Sequence, residues 1–508
     1  MQSNSPTQKM QSILRHLFVP QEEPRWIPLA LGFITLVALV LRALLITQPV
    51  QYDEAYTFIY YASKSLTTIL ANYSAPNNHI FHTLLVALAY HLLGASLWTL
   101  RLPAFLAGVL TVPAAYIAAR RFFSQHQSLA AAAVLAVTPV LIEYSTNGRG
   151  YTLIILFSLL LANFAGILVK KQTISALVAY GLTAALGFFT IPIFLYPMAG
   201  ISLWLFASYL TESGSNQTRL RSLTVFLVTC ALAGLLTFLL YSPVIFFGTG
   251  LGSLVSNEIV ESQTWPTFFG NLSPRLTNTA AFWMTGIVPA FRVLLLAGFL
   301  ISLFFYRKLS NQRLPLQVFL VLAIAILMLA QRVVPLPRVW LFLDAFYILF
   351  AAAGLTWLAE IVLRGLSSTR LKEGILAAVI VLVPFIYLFV FTQGAHFSIV
   401  RENDSPEEFA AGYILENIQP EDTLIAVPPT DIQTAYYLAI NGLPFDRFYQ
   451  PDHPTSIQNA LVLVRTNSKN DTPKSILQYF DLTRGFILAR AKLVYEYGPL
   501  QVYSIPAR

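Results

Sequence analysis

In a chain this apolar, every charge away from a water-facing cluster must justify its desolvation, so scarce charges mark where chemistry could occur. The most informative are Asp53 and Glu54 in "QYDEAYTFIYY", just past the first long apolar run. Adjacent carboxylates followed by Tyr56, Phe58, Tyr60 and Tyr61 read either as a solvated loop start or as a carboxylate base held at a bilayer edge. A second constellation is "NNHIFH": Asn77, Asn78, His79 and His82. Histidines three apart share a helical face and could bind a divalent metal, or stand as hydrogen-bonded interfacial groups. The third set is four arginines, Arg101, Arg149 in "NGRGY", Arg332, and Arg338 in "VPLPRVW". A guanidinium fork suits bidentate capture of phosphate; the alternative for each is snorkelling to headgroups. Arg42, Glu143, Asp344 and Glu360 lie inside apolar runs and are expected to pair or to face a bundle interior. Together, a carboxylate and several arginines at a membrane suggest one reaction type. A phosphate-activated lipid presents its headgroup, arginines neutralise the departing phosphate, and the carboxylate takes the proton of an acceptor hydroxyl.

The elements that must position these groups are membrane helices. Of 508 residues, 56% are hydrophobic and only 11% charged, with a mean hydropathy of +0.64, whereas soluble proteins carry roughly 25% charged residues. Apolar runs long enough to cross a ~30 Å hydrocarbon core recur along the chain. The first, Trp26 to Ile46, is too long for a signal peptide, lacks a small-residue cleavage site, and is expected to be retained. Cys230, the single cysteine, excludes an intrachain disulfide and leaves the redox compartment undetermined.

Net charge of +8 could suggest nucleic acid, but its distribution excludes that partner. Residues 1–394 hold 23 Lys and Arg against 11 Asp and Glu, while residues 395–508 hold 9 against 13. The basic excess sits in short clusters between apolar runs: Arg120-Arg121, Lys170-Lys171, Arg219/Arg221, Arg307-Lys308/Arg313 and Arg364/Arg370/Lys372. Such clusters behave as cytoplasmic anchors. Lys9, Arg15 and Arg25 favour a cytoplasmic start. If Trp26–Ile46 and His79–Trp98 both crossed, all twelve cluster cations would fall outside; with His79–Trp98 as a surface helix, all twelve fall inside.

The second arrangement predicts eleven spans, near 26–47, 101–119, 127–144, 151–169, 174–190, 191–210, 222–246, 289–306, 314–331, 339–363 and 374–393. It predicts outer segments at 48–100, 145–150, 247–288 and 331–338, and an extracytoplasmic C-terminus. The domain organisation is therefore a membrane-embedded domain over 1–394, with a first outer loop at 48–100 and a large one at 247–288, then a soluble domain over 395–508. That tail reads as a small α/β domain. Ser405-Pro406-Glu407-Glu408 is a helix start, and "TLIAV" (423–427), "ALVLVRT" (460–466) and Leu493–Ile505 are β-like. The expected fold class is thus an all-α polytopic membrane protein with a small α/β extracytoplasmic domain. No repeat of 20–50 residues and no two-half transporter symmetry is visible.

Four segments carry a family resemblance. "YDEAYTF" (52–58), "NNHIFHTLLVALAYHLLGAS" (77–96), "TLRLPAFLAGVLTVPAAYIAARRFF" (99–123) and "EYSTNGRGYTLIILF" (143–157) resemble the polytopic glycosyltransferases of the C-type fold. The group within them is family 39, which includes protein O-mannosyltransferases and aminoarabinose transferases of lipid A. "PLPRVWLFL" (335–343) is a fainter echo, and the resemblance covers about residues 26–360. It implies that Asp53 is the catalytic base and Glu54 its acidic neighbour, and that Arg101 contacts a lipid phosphate. Arg149 and Arg338 are implied as phosphate or sugar contacts, with Asn78, His79 and Tyr151 among the substrate-binding residues of the matched segments. Two positions depart from the pattern: Asn147 stands where an acid is usual, and Ile80-Phe81 where proline is usual.

The expected activity is transfer of a sugar from a polyprenyl-phosphate donor to a lipid, protein or glycan acceptor, at the outer face of a cytoplasmic membrane. A divalent metal is an open possibility, as are membrane lipids as partners. The rivals are a transporter or flippase of lipid-linked saccharides, which would show paired broken helices, and a non-catalytic membrane scaffold.

Overall fold

The computed structural model describes residues 6–18, 23–212, 216–255, 261–393, 405–451 and 457–508. They form two compact units. The first comprises Met1–Ile46, Leu70–His82 and Arg101–Phe397; the second comprises Thr47–Ile69, Thr83–Leu100 and Ser398–Arg508. The expected boundary at 394/395 lies outside the described residues. The first outer loop, expected to belong with the membrane part, contributes residues 47–69 and 83–100 to the unit that contains the tail.

The first unit is helical, and the protein is polytopic. Among the described residues, seven helices are long and apolar enough to cross a membrane, from Trp26–Ala43 to Thr369–Val390, and a bent pair makes eight. Each of the eleven expected segments coincides with an apolar helix or helix pair. Three of them, Ile174–Thr190, Pro289–Phe304 and Leu316–Gln331, have only 16 or 17 residues, about 25 Å of helix. Burial sorts the helices. Tyr151–Lys170 is enclosed almost throughout, whereas Asn216–Phe247 turns Leu227, Leu235 and Phe238 outward, the side-chain chemistry that lipid requires.

Three differences from expectation stand out, the first two with local causes. The predicted helix 127–144 is two helices, Gln125–Ala136 and Pro139–Ser145, bent by 63°, because Pro139 offers no N–H and forces Thr138 into an extended conformation. The predicted surface helix His79–Trp98 is Ile80–Leu93 and stops at Gly94, whose φ of +83° suits glycine; Leu97 and Trp98 begin the next helix, Leu97–Ala119. The stretch 247–288 holds two helices, Gly250–Val255 and Trp265–Trp283.

The second unit is built on a four-stranded sheet. Its strands are β1 (Asp422–Ile425), β2 (Asn459–Arg465), β3 (Lys492–Tyr497) and β4 (Leu500–Pro506), ordered β1-β2-β4-β3. β1 runs parallel to β2, and β4 is antiparallel to both β2 and β3. Strand alternation assigns the two faces of β2. Leu461 and Leu463 enter a core shared with helices Pro406–Asn417 and Thr430–Ile440, and with Val50, Ala55 and Phe58. Ala460, Val462 and Val464 enter another, with Ile476 and Leu477 of helix Pro473–Tyr479. Burial on both faces explains why "ALVLV" is a continuous apolar run. The predicted N-cap is present: Ser405 Oγ accepts from the Glu408 N–H at 3.3 Å.

Candidate active site

In the first unit, three predicted residues converge. His79 is buried immediately before helix Ile80–Leu93, and its Nδ1 accepts a hydrogen bond from the Gly150 N–H at 2.9 Å. A neutral imidazole accepting there carries its proton on Nε2, which lies 3.3 Å from Nη2 of Arg149. Burial first, then the charges of Arg149, His82 and Arg338, hold the His79 pKa well below the ordinary imidazole value. The ring is therefore neutral at physiological pH and serves to position the Gly150 backbone. Tyr151 meets His79 edge-on with ring centroids 5.3 Å apart, and the Arg149 guanidinium carbon lies 5.9 Å from the Tyr151 ring centroid. Gly150 is required by space, since a Cβ there would stand 2.7 Å from Thr190 Cγ2 and 3.1 Å from His79 Nδ1.

These residues wall a cavity of about 400 Å³ that also takes in Arg338. Among the members not singled out from the sequence are Arg275, from helix Trp265–Trp283, and Gln331, whose Oε1 accepts from Tyr196 Oη at 2.8 Å. Arg275 belongs to a stretch read as polar loop, so nothing local marked it. A volume of this size with three cations and aromatic walls suits a phosphorylated headgroup.

Asn77 also lines this cavity, whereas the remaining predicted residues of this unit are elsewhere. Arg101 is fully buried near the start of helix Leu97–Ala119 and donates from Nη1 to the Ile46 carbonyl at 2.8 Å. It does not line the cavity. Asn78 is fully buried and donates from Nδ2 to the Asn72 carbonyl at 2.7 Å. Arg332 adopts a left-handed conformation at the end of helix Leu316–Gln331, its guanidinium 5.9 Å from the Trp265 ring centroid. Arg42, inside the first span, donates to Ser145 Oγ at 3.1 Å and to the Ala136 carbonyl at 3.0 Å. Among the described residues, no group of three or more His, Cys, Asp or Glu gathers as a metal centre. His79 does not suit one, with its Nδ1 engaged by a backbone N–H and a guanidinium beside its Nε2.

In the second unit, Asp53 and Glu54 open the short helix Tyr52–Thr57, where a carboxylate is favoured by the helix dipole. Their environments differ. Glu54 is fully buried and its Oε1 accepts from the Gln51 N–H at 2.8 Å, the reciprocal half of a capping box. Asp53 is half-buried. The helix is tethered from the tail: the Val50 N–H donates to Tyr437 Oη at 3.1 Å, and Gln433 Nε2 donates to the Val50 carbonyl at 2.8 Å. Phe58 packs edge-on against Tyr436, with centroids 5.2 Å apart. Asp431, on the same tail helix, is an acid the sequence did not reveal; burial pushes its pKa up to about 6. Burial, with Asp431 next in size, raises Tyr52 to about 12.

With this geometry in view, residues 77–254 match the family described as dolichyl-phosphate-mannose-protein mannosyltransferase. The fold is similar to the crystal structure of ArnT from Cupriavidus metallidurans in the apo state, with a TM-score of 0.56 at 15% identity, covering 94% of this chain and 97% of that one. The same protein bound to undecaprenyl phosphate aligns with a TM-score of 0.54, at 15% identity and over 94% and 98% of the two chains. No curated protein matches the sequence. The expected C-type fold is borne out, and so is the resemblance to the family-39 group.

Proposed function

We propose that this family-39-like membrane protein of the C-type fold is a glycosyltransferase using a polyprenyl-phosphate sugar as donor and a lipid, protein or glycan as acceptor. The observation that carries the reading is the cation-walled cavity of the first unit, where Arg149, Arg275 and Arg338 face one space beside Tyr151. Arg149 and Arg338 hold the donor phosphate, and the neutral His79 fixes the loop that aims Arg149. Arg101, outside the cavity, secures the end of the first span through its bond to the Ile46 carbonyl. That the similar ArnT was solved with undecaprenyl phosphate supports this class of donor.

In the proposed step, the acceptor hydroxyl oxygen attacks the anomeric carbon and the bond from that carbon to the phosphate oxygen breaks. The lipid monophosphate leaves with the electron pair, and Asp53 takes the hydroxyl proton. A single displacement inverts the anomeric centre. The arginines stabilise the charge that grows on the leaving phosphate. No step requires a metal. The twelve clustered cations support a reading in which eleven crossings place the soluble domain, the first outer loop and the reaction on the outer face of the cytoplasmic membrane.

Donor binding tests the reading without knowledge of the acceptor. Arg338→Gln should weaken binding of a fluorescent polyprenyl phosphate by about tenfold or more, the scale of a lost charge-assisted hydrogen bond of ~1.5–3 kcal/mol. Unchanged affinity in both Arg338→Gln and Arg149→Gln would remove the cavity from the function.

A further inference from the structure

The far end of helix Tyr151–Lys170 carries a second polar cavity. Tyr151 opens this helix beside Arg149, and Lys170 closes it as its twentieth residue, roughly 30 Å away at 1.5 Å per residue. A cleft of about 870 Å³ lies there, walled by His16, Arg120, Arg121, His126, Lys170 and Lys171.

Arg121 is held across the helix face that carries Asn163, Gly166 and Lys170, positions three and four apart. Its Nε donates to Asn163 Oδ1 at 2.7 Å, and its Nη2 donates to the Leu17 carbonyl at 3.2 Å. Asn163 Nδ2 donates to that same carbonyl at 3.0 Å. A Cβ at Gly166 would stand 2.8 Å from Arg121 Cβ, so the helix is bare where the arginine crosses it. The guanidinium is thus oriented by neutral partners alone.

Three acids lie nearby, Glu23, Glu360 and Glu373, all acting on His126 at the cleft wall. Glu23 pairs with Arg120 at 2.8 Å. Glu360 accepts from Ser124 at 3.2 Å and from Gln127 at 3.0 Å, and lies 3.9 Å from His126. Among the described residues, no carboxylate pairs with Arg121, Lys170 or Lys171. The field is felt at His16, whose pKa is lowered by burial, then by Lys171 and Arg121. A basic residue that merely anchors a span reaches outward to headgroups, as the exposed Arg370 can. Arg121 is instead folded inward and fixed. Three unneutralised cations around one cleft repel each other, and a doubly charged phosphate group relieves that repulsion while matching a guanidinium edge.

We infer that this cleft binds a phosphate group, presented either by a lipid headgroup or as a free anion, through Arg121, Lys170 and Lys171. The inference is independent of the proposed activity, since it concerns the opposite end of the helix.

The test uses the full chain in phosphatidylcholine nanodiscs, titrated with inorganic phosphate and with soluble dihexanoyl phosphatidic acid, and read by phosphorus line broadening. Saturable binding is expected in wild type, weakened about tenfold by Arg121→Gln. The double variant Lys170→Gln/Lys171→Gln, which changes only exposed side chains, should weaken it several-fold and melt as wild type. Arg149→Gln, at the other end of the helix, should leave this binding in place. Comparable binding of both probes supports a free phosphate; binding of the lipid probe alone supports a headgroup. Saturable binding of neither probe overturns the inference. So does binding unaltered in both the arginine and lysine variants, or abolished by Arg149→Gln.

Discussion

The cavity of the first unit and the Asp53 helix of the second are built by different means. In the cavity, cations dominate, and its histidine is kept neutral by burial and by those cations. Around Asp53 there are tyrosines and a second acid, with phenolic and carboxylic protons held more tightly than usual. The first environment is suited to gripping an anion, the second to handling protons. Damage in one region should therefore appear in donor affinity, and damage in the other in turnover.

The largest effect should come from Asp53→Asn, which keeps shape but loses proton acceptance. Turnover of a labelled polyprenyl-phosphate sugar should fall by roughly 10²-fold or more, the scale of general-base assistance, with donor affinity little changed. Full turnover in Asp53→Asn would end the division of labour just drawn. A parallel loss of donor affinity would show that the acid also organises the donor. Glu54→Gln makes a poor control for charge alone, because Glu54 Oε1 caps the helix through Gln51.

A smaller effect concerns Asp431. With its folded-state pKa raised to about 6 against about 3.9 unfolded, the folded protein binds more protons between those values. Stability should fall as pH rises through about 4 to 6 and level off above. Asp431→Asn should flatten that slope and raise stability at pH 7.5 by on the order of 1–3 kcal/mol, seen as a higher thermal midpoint. A wild-type midpoint independent of pH across this window would show that Asp431 is hydrated. The smallest effect is expected for Tyr437→Phe, which leaves the Val50 N–H without its acceptor. The cost should be about 1 kcal/mol, seen as faster amide exchange at Val50 and a modest loss of turnover, with donor affinity intact. Exchange at Val50 unaltered by Tyr437→Phe would show that the tail does not steady the Asp53 helix.

How much of this was legible in the sequence follows from the range of the interactions. The spans were legible because lipid demands long apolar runs, and the tail strands because β2 is buried on both faces. Arg149, His79 and Tyr151 stood out because polar residues are few, and they do meet. Arg275 and Gln331 did not stand out, since one lies in a stretch that reads as loop and the other at the end of an ordinary apolar helix. The bend at Thr138-Pro139 was written in the proline but masked by apolar residues on either side. The Val50 tethers were invisible, being contacts 383 and 387 positions apart that leave no local pattern.

Those two tethers also set an order of events in biosynthesis. Val50 leaves the ribosome early, and its partners Gln433 and Tyr437 follow nearly four hundred residues later. At about 5–20 residues per second, the interval is on the order of twenty to eighty seconds. Throughout it, the segment bearing Asp53 lacks the two hydrogen bonds that fix its start. A nascent or truncated chain can therefore thread its spans into the bilayer while its carboxylate is still loosely held. Completion of the last domain is what converts an inserted chain into one with its acid in place.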